Sequence, residues 1–309
     1  IKPKKTDQKV LVVGSGPSGL ECTLQLARRG YHVTLAEAGS KLGGRVLFEA
    51  GLKGLSAWKR VADNRLYEIQ QKNNIEIYKE SELTFSHVNE LGINNIFLAT
   101  GSSWRKDGVG RSRRKPIQGM ESLNVLTPEE AIKDSKNLKG PVVVYDDEQG
   151  YLGGVVADHL SSDHHEVIFI TPAGIVSPWT ESTLEQKRVQ KSLLLNGVNI
   201  ICNKSIEKAE GQSLNLQCVF TGEITHIKCS AIVMVTERIP NTTLYDQLIE
   251  QNNRIEGSKR KHIQLIGDAE SPGLIADAVF LGHLAAQNFE EPEQEIQKAM
   301  FMREMPSLK

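Results

Sequence analysis

The sequence lacks the features that direct a chain to a membrane, to nucleic acid or to dithiol chemistry. A net charge of −1 over 309 residues gives no field of one sign that would attract nucleic acid or an anionic membrane. No apolar run approaches the ~20 residues that a membrane-spanning helix needs. Cysteine is also scarce: the four are Cys22, Cys202, Cys218 and Cys229, and no two form a C-x-x-C pair. This spacing argues against a dithiol redox centre, an iron–sulfur cluster or a disulfide framework within these residues, and it favours reduced thiols in a cytoplasmic protein.

The chain is long enough for about two domains of ordinary size. It begins Ile1-Lys2-Pro3-Lys4-Lys5, without a Met. We expect this short, basic start to be a linker within a longer polypeptide.

A dinucleotide fingerprint follows the first predicted strand, at residues 10–13. Gly14, Gly16 and Gly19 form the pattern G-x-G-x-x-G, and a predicted helix covers residues 19–29. The first glycine permits a tight turn, the second lets the backbone approach a pyrophosphate, and the third lets the helix pack against the strand. The helix N-terminus offers N–H groups and partial positive charge to the phosphates. This segment predicts an adenine-nucleotide site.

An acidic residue follows the second predicted strand, at residues 32–36. Glu37 can accept hydrogen bonds from both ribose hydroxyls of an adenosine, and Ala38 lies beside it. Further on, Gly44 belongs to a Gly-Gly turn whose N–H groups can approach a phosphate or ribose, and Arg45 can reach the phosphate charge. The alternative for this turn is an ordinary glycine turn followed by a solvated arginine.

Two later predicted strands, at residues 95–99 and 263–266, end in small or acidic residues. The residues at those ends are Ala99, Thr100 and Gly101 in the first case and Gly267 and Asp268 in the second. Ligands of doubly wound folds bind at the carboxyl edge of the sheet, so these residues are candidates for the same site. Asp268 either binds a hydroxyl group or caps the helix that follows, which ends near residue 288.

Several other segments complete the pattern of helices and strands. The predicted helices are at 56–72 and 183–195, and the predicted strands are at 75–78, 198–202, 214–220 and 231–236. Residues 105–115 hold six basic side chains and two glycines, which predicts a mobile, solvated loop or, alternatively, a docking surface for an acidic partner. Trp179, in a polar stretch, is either an exposed aromatic for partner docking or a half-buried loop anchor.

A second strand–helix–strand unit is predicted at residues 141–170. A strand at 141–145 is followed by a helix at 151–160 and a strand at 166–170. Alignment with the first unit puts Asp146, Glu148 and Tyr151 where the three glycines of the fingerprint stood.

These substitutions argue against a second nucleotide in that unit. Asp146 and Glu148, with Asp147 between them, would face a pyrophosphate, and each unfavourable charge pair costs about 4 kcal/mol at ~4 Å and an effective dielectric constant near 20. Tyr151 adds bulk where the backbone must approach closely. The second strand ends in Thr171-Pro172, with neither an acid for a ribose nor an arginine for a 2′-phosphate. We therefore expect no NAD(P) binding there.

Several pieces of sequence together resemble a flavoprotein with two dinucleotide domains, of the pyridine nucleotide–disulfide oxidoreductase type. They are GSGPSGLE at 14–21, LAEAGSKLGGRV at 35–46, GLKGLSAWKRV at 51–61, ATGSSWRKDGV at 99–109, VVVYDDEQGYLGGVVADHL at 142–160 and IGDAESPGLIADA at 266–278. The resemblance covers residues 9–284 and is closest to the C-terminal part of the trimethylamine dehydrogenase and histamine dehydrogenase family, relatives of 2,4-dienoyl-CoA reductase. The acidic second site is similar to the amine dehydrogenases, because the dienoyl-CoA reductases keep a glycine-rich NADPH loop there.

The resemblance implies cofactors and partners beyond these residues. In that family, an N-terminal barrel carries FMN and a cysteine-ligated [4Fe–4S] cluster, and electrons pass to an electron-transferring flavoprotein. The first Rossmann unit holds ADP where related reductases hold the ADP half of FAD. Asp268, which contacts the ribityl–phosphate region in FAD-binding relatives, would have no flavin to hold. The barrel and the cluster cysteines are absent from these residues, so we expect this fragment alone to be inactive. A homo-oligomer of the full-length protein is compatible with the resemblance.

Fingerprint and resemblance together define the expected cofactor site for ADP or FAD. Its residues are Gly14, Gly16, Pro17, Ser18, Gly19, Glu37, Ala38, Gly44, Arg45, Ala99, Thr100, Gly101, Gly267 and Asp268. No catalytic residue and no metal ligand is predicted. The alternative function is a freestanding FAD-dependent NAD(P)H oxidoreductase, and a third reading is a scaffold that binds neither nucleotide.

The predicted fold is α/β, with two Rossmann-like dinucleotide-binding domains of the FAD/NAD(P)-binding type, the second inserted in the first. Residues 1–125 and 258–309 would form the ADP/FAD-binding domain. Residues 126–257 would form the inserted, degenerate NAD(P)-binding-like domain.

Overall fold

Two parallel sheets organise the chain. The computed structural model describes residues 3–163, 165–255, 257, 260–294 and 296. Within them the strands are β1 Lys9–Val13, β2 His32–Ala36, β3 Ile75–Tyr78, β4 Asn95–Leu98, β5 Ser102–Trp104, β6 Asn124–Leu126, β7 Val142–Asp146, β8 Val167–Ile170, β9 Asn199–Ile201, β10 Lys204–Glu210, β11 Ser213–Cys218, β12 Ile224–Lys228, β13 Ala231–Val235, β14 Arg238–Pro240 and β15 His262–Leu265. The α-helices are α1 Pro17–Arg29, α2 Arg45–Glu49, α3 Arg60–Gln70, α4 Phe85–Glu90, α5 Pro128–Lys133, α6 Tyr151–Ser162, α7 Gln186–Leu195, α8 Thr243–Asn253 and α9 Ile275–Asn288.

The chain divides into two units, each made of separate segments. Unit 1 comprises the described residues of Ile1–Leu47, Trp58–Ser102 and Pro240–Lys309, and unit 2 comprises those of Phe48–Ala57 and Ser103–Ile239. The expected boundaries lay at 125/126 and 257/258, whereas residues 48–57 and 103–125 fall in unit 2 and α8 falls in unit 1. The pairing of β6 with β13 accounts for the placement of residues 103–125. The packing of α8 against β15 accounts for the placement of α8.

Unit 1 is built on a five-stranded parallel sheet in the order β15-β4-β1-β2-β3. In register, Val13 lies opposite Ala36 on β2 and Leu98 on β4. Leu98 also lies opposite Leu265 on β15. Because the strands are parallel, the residues that follow them all emerge at one carboxyl edge.

Both faces of this sheet are covered, which explains why its inner strands β1 and β4 are nearly continuous apolar runs. Val10 and Val12 point toward α1, α3 and α9, whereas Leu11 and Val13 pack with α4 and α8. Arg29, 1% exposed, ties α1 to the end of α9: its guanidinium donates to the main-chain oxygens of Ala286, Gln287 at 3.0 Å and Phe289 at 2.8 Å.

Unit 2 has its own five-stranded parallel sheet, in the order β6-β13-β7-β8-β9. Helices α5, α6 and α7 lie on one face. The other face is covered by an antiparallel three-stranded sheet, β10-β11-β12, whose buried side chains pack against those of β7, β8 and β13. Strands β5 and β14 pair with one another.

The predicted α/β class with parallel sheets is confirmed. The basic segment 105–115 is not simply solvated: Val109 and Gly110 are buried, and Ser112 donates its N–H and hydroxyl to Asp147 at 2.9 and 2.6 Å. All four cysteines are free thiols. No helix among the described residues is both long and apolar enough to cross a bilayer.

Candidate functional site

The turn between β1 and α1 is built from glycine for steric reasons. Gly14 has φ +97°, and a β-carbon there would lie 2.3 Å from the main-chain oxygen of Ala99. A β-carbon on Gly19 would lie 1.9 Å from the main-chain oxygen of Gly14. The predicted helix began at Gly19, but α1 begins at Pro17, because proline at the first helical position has its φ already set and loses no hydrogen bond. The turn is therefore as tight as a pyrophosphate-binding loop requires.

Gly16 faces open space at the start of α1. It is the N-cap residue, no side chain caps the helix there, and a β-carbon on it would meet no heavy atom within 4 Å. The first N–H groups of a helix have no intrahelical acceptor, so this open space is suited to an anion. Ser18, in the first turn, has a buried hydroxyl with no hydrogen-bond partner among the described residues.

The predicted Gly-Gly turn lies directly against this opening. Gly44 has φ +59°, and a β-carbon on it would lie 2.8 Å from the Cα of Gly16. Gly43 donates its N–H to the main-chain oxygen of Ser15 at 3.0 Å. The two glycine loops are thus in contact, which brings Arg45 to the same opening.

Glu37 is held at the end of β2 by three donors. Its Oε2 accepts the N–H of Ser15 at 2.9 Å and the Ser15 hydroxyl at 2.5 Å. Its Oε1 accepts the N–H of Gly39 at 2.7 Å. An ionised carboxylate has about four acceptor positions, and the three donors occupy three of them. The side chain is oriented before any ligand binds.

Arg45, Ser102 and Asp268 form one hydrogen-bonded group in unit 1. Arg45 Nη2 donates to the Ser102 main-chain oxygen at 3.1 Å and to its Oγ at 3.0 Å. Arg45 Nη1 lies 3.3 Å from Asp268 Oδ2, to which the Ser102 hydroxyl donates at 3.1 Å. Asp268 Oδ1 accepts the N–H of Gly273 at 3.1 Å. Arg45 is therefore not the solvated arginine of the alternative interpretation.

Asp268 does not cap the helix that follows it. The N-cap position of α9 is Leu274, and its N–H donates to Asp277 at 2.8 Å. The sequence did not single out Asp277, although an acid in the first turn of a helix is an ordinary capping signal.

The remaining predicted site residues lie at the same carboxyl edge, since they follow β1, β2, β4 and β15. Thr100 and Gly101 have protein partners there. The Thr100 hydroxyl donates to the main-chain oxygen of Asn241 at 2.7 Å, and the Asn241 N–H donates to the main-chain oxygen of Gly101 at 2.9 Å. These two residues hold the returning chain, a role that sequence reasoning missed.

The acidic loop of unit 2 is arranged differently from the prediction. Gly150, not Glu148, is the N-cap of α6 and so takes the position of Gly16. Gly153 takes the position of Gly19, since each is the third residue of its helix. A β-carbon on Gly153 would lie 2.6 Å from Cγ of Asp146. The predicted alignment is wrong by two residues. β7 continues to Asp146, one residue beyond the predicted strand, and the loop after β7 is one residue longer than the loop after β1.

Two of the three carboxylates of this loop also point inward rather than toward a ligand. Asp146 and Asp147 are both 0% exposed. Burial raises the pKa of Asp146 well above its ordinary value, although the Gln149 N–H donates to it at 2.8 Å. Burial also raises the pKa of Asp147, against the opposing effect of its bonds from Ser112. These acids belong to the core of unit 2.

The rim of this loop is occupied by side chains of unit 2. Glu148 lies 3.8 Å from Arg238. The Tyr151 hydroxyl donates to Glu49 at 2.7 Å. The Arg111 guanidinium lies 5.0 Å from the ring centre of Trp179, which is 59% exposed. Trp179 is therefore an exposed aromatic stacked on an arginine.

The match to a known protein family includes the glycine-rich loops of unit 1. Residues 8–280 match the pyridine nucleotide–disulphide oxidoreductase family. The chain belongs to this family. The predicted resemblance to the trimethylamine dehydrogenase family is confirmed as well, with the chain corresponding to the C-terminal part of those relatives.

Three relatives show the extent of the similarity. Dimethylamine dehydrogenase of Hyphomicrobium sp. (strain x) is 29% identical over 96% of this chain and 44% of its own length. The structure of histamine dehydrogenase from Rhizobium sp. 4-9 has a TM-score of 0.91 and 41% identity, covering 94% of this chain and 45% of that one. The 6-hydroxypseudooxynicotine amine oxidase of Pseudomonas geniculata N1 has a TM-score of 0.88 and 35% identity, covering 94% and 43%. This family member thus spans less than half the length of these relatives.

Proposed function

We propose that this chain is the ADP-binding C-terminal module of an amine dehydrogenase-type oxidoreductase that contains FMN and a [4Fe–4S] cluster and passes electrons to an electron-transferring flavoprotein. The observation that carries the proposal is the contrast between the two glycine loops. In unit 1, Gly16 opens onto free space and Glu37 is already oriented. In unit 2, a β-carbon on Gly150, the N-cap of α6, would lie 2.8 Å from Oε2 of Glu148, so a carboxylate occupies the corresponding space.

The residues of unit 1 fit an adenosine diphosphate. Glu37 would accept a ribose hydroxyl, and the first N–H groups of α1 would bind the phosphates. Arg45 would add a positive charge next to them. No proton or electron is transferred by these residues. Their role is to bind and orient the nucleotide, which at a hundredfold excess over its dissociation constant stabilises the folded chain by about 2.7 kcal/mol.

The redox chemistry is assigned to residues outside this chain. Within the described residues, no group of three or more His, Cys, Asp or Glu side chains could hold a metal ion. The relatives named above are dehydrogenases or oxidases of amines, and this chain covers less than half of each. FMN, when bound in the remaining part of such an enzyme, would accept electrons from the amine. The electron-transferring flavoprotein and a homo-oligomeric assembly are proposed for the full-length protein on the same ground.

The released nucleotide tests this proposal directly. The purified chain is denatured gently, and the small molecule that it releases is identified by chromatography with an absorbance spectrum. ADP without flavin absorbance supports a structural nucleotide module. FAD would overturn the proposal in favour of a reductase with its own flavin, and no released nucleotide together with no shift in melting temperature on adding ADP would favour a scaffold.

A further inference from the structure

The strand order of unit 1 defines the path that a longer nucleotide would follow. Glu37 follows β2, and the glycine loop follows β1. Next to β1 come β4 and then β15. An FAD whose adenosine lies at β2 and whose pyrophosphate lies at β1 must continue over the carboxyl ends of β4 and β15.

Those two ends carry the group formed by Arg45, Ser102 and Asp268. Ser102 comes shortly after β4, and Asp268 comes shortly after β15. Arg45 joins them by hydrogen bonds to Ser102 at 3.0 and 3.1 Å and an ion pair with Asp268 at 3.3 Å. The side chains of Arg45 and Asp268 are only 19% and 15% exposed, so water screens this pair little.

Both ends of the ion pair are anchored to the first turn of α1. On one side, the contact of Gly44 with Gly16 fixes the residue before Arg45. On the other side, a β-carbon on Gly267 would lie 2.5 Å from Cβ of Ser18, so the residue before Asp268 is also packed against that turn. The pair therefore lies beside the phosphate position, on the flavin side of it.

We propose that the Arg45–Asp268 ion pair ends the nucleotide site after the second phosphate and thereby selects ADP over FAD. This inference rests on the proposed ADP-binding function of unit 1. Asp268 is a positioning residue, which holds the Arg45 guanidinium beside the terminal phosphate.

The two nucleotides differ at the point where the ion pair stands. The second phosphate of ADP is a terminal monoester with an additional negative charge, which a guanidinium can bind strongly. The second phosphate of FAD is a diester that continues into the ribityl chain. FAD can pass only if Arg45 releases Ser102 and Asp268, which would leave a poorly solvated carboxylate without its cation.

The test compares ADP, AMP and FAD on the full chain after bound nucleotide has been removed by gel filtration. Dissociation constants are measured by calorimetry, and for FAD also by the change in flavin fluorescence. The unmodified chain should bind ADP at least tenfold more tightly than FAD. The variant Arg45→Gln should weaken ADP binding at least tenfold and leave AMP binding unchanged, because AMP lacks the second phosphate. The ratio of the FAD to the ADP dissociation constant should fall by at least the same factor, because FAD no longer has to displace Arg45 from Ser102 and Asp268.

Two further variants separate positioning from a general loss of charge. Asp268→Asn keeps an acceptor for Gly273 but removes the charge that holds Arg45, so the preference for ADP over AMP should fall at least threefold. Arg45→Lys should recover part of the ADP affinity that Arg45→Gln loses. The matched control is Arg254→Gln, at the exposed arginine that follows α8 and pairs with Glu250. This substitution should change none of these constants.

The outcomes distinguish this inference from the function on which it rests. If the unmodified chain does not bind ADP, the proposed function is wrong. If ADP binds but Arg45→Gln leaves the ADP, AMP and FAD constants in their original ratio, the ADP function stands and the ion pair is not the selecting element. Melting curves establish that each variant is folded, and Ser102→Ala, which removes one hydroxyl, serves in place of any variant that is not.

Discussion

The carbonyl oxygen of Gly14 occupies the position that a side chain on Gly19 would need, since a β-carbon there would lie 1.9 Å away. A β-carbon on Gly16 would meet no heavy atom within 4 Å. Replacing glycine by alanine should therefore lower stability at Gly19 and weaken nucleotide binding at Gly16. Gly19→Ala should destabilise unit 1 by about 1–3 kcal/mol through overpacking. Gly16→Ala should leave the melting temperature almost unchanged and weaken ADP binding at least tenfold, because its methyl group enters the phosphate space.

Gly92→Ala provides a control for the conformational effect of a glycine substitution outside the site. Gly92 also has open space around it, but its φ is +63°. Its replacement by alanine should therefore introduce backbone strain and leave the affinity for ADP unchanged. Normal ADP affinity of Gly16→Ala would show that the phosphates lie elsewhere.

Glu37→Ala should weaken adenine-nucleotide binding by roughly 1–3 kcal/mol, as expected for a charged hydrogen-bonding group. The domain should stay folded, with a small decrease in melting temperature because the N–H groups of Ser15 and Gly39 lose their acceptor. Calorimetric titration with ADP measures the first effect. Glu76→Ala, on the exposed part of the neighbouring strand β3, should leave ADP affinity unchanged. Equal affinities of Glu37→Ala and the unmodified chain would place the adenosine elsewhere.

Asp146→Asn should stabilise the chain at neutral pH and not at pH below 3.8. The folded-state pKa of Asp146 is raised above the ordinary value of 3.8, chiefly by burial. A raised folded-state pKa contributes stability that is present below the unfolded-state value and is lost as pH rises through the folded-state value. Over that interval the unmodified chain loses about 1.4 kcal/mol per pH unit, and the neutral asparagine, which can still accept from Gln149, does not.

Urea unfolding between pH 3.5 and 8 measures this difference. The control is Asp134→Asn, an exposed aspartate of unit 2, whose curve should follow that of the unmodified chain. If the free energy of unfolding depended on pH in the same way for Asp146→Asn and the unmodified chain, the raised pKa of Asp146 would be contradicted.

NADH and NADPH should neither be oxidised by the isolated chain nor raise its melting temperature, whereas ADP should raise it. At the N-cap of α6, a β-carbon on Gly150 would lie 2.8 Å from Oε2 of Glu148, so this loop lacks the open space found at Gly16 and presents a carboxylate there. Strand β8 is followed by Thr171 and Pro172, which offer no acid for a ribose. Absorbance at the nicotinamide band and a thermal-shift assay are sufficient. Measurable oxidation, with or without added FAD, would overturn our interpretation of the second loop.

The sequence predicted the parallel strands well because their signal is local. The alternating pattern of β3 and the apolar run of β8 are each bounded by polar residues, so their predicted limits agree with the structure to within a residue. The antiparallel sheet was predicted only at β11. Strands β10 and β12 are mostly polar and partly exposed, and such strands are stabilised by pairing across a turn, which a local pattern does not reveal.

In the candidate site too, contacts between residues close in sequence were predictable, and contacts between distant segments were not. The glycine fingerprint and Glu37 are close in sequence and were recognised together. The group of Arg45, Ser102 and Asp268 depends on three segments of chain, and its geometry follows only from the strand order. The inward orientation of Asp146 was likewise not predictable, because charge alone does not tell whether an acid faces a ligand or the core.

The pairing of β15 with β4 also sets an order of assembly during synthesis. These two strands are neighbours in the sheet, but Leu98 and its partner Leu265 are separated in sequence by the larger segment of unit 2, Ser103–Ile239. At 5–20 residues per second, a ribosome adds that interval in roughly ten to thirty seconds. Unit 2 can therefore fold while unit 1 still has an open sheet edge. The nucleotide site is completed only when Asp268 and α9 emerge, so nucleotide capture should follow the folding of unit 2.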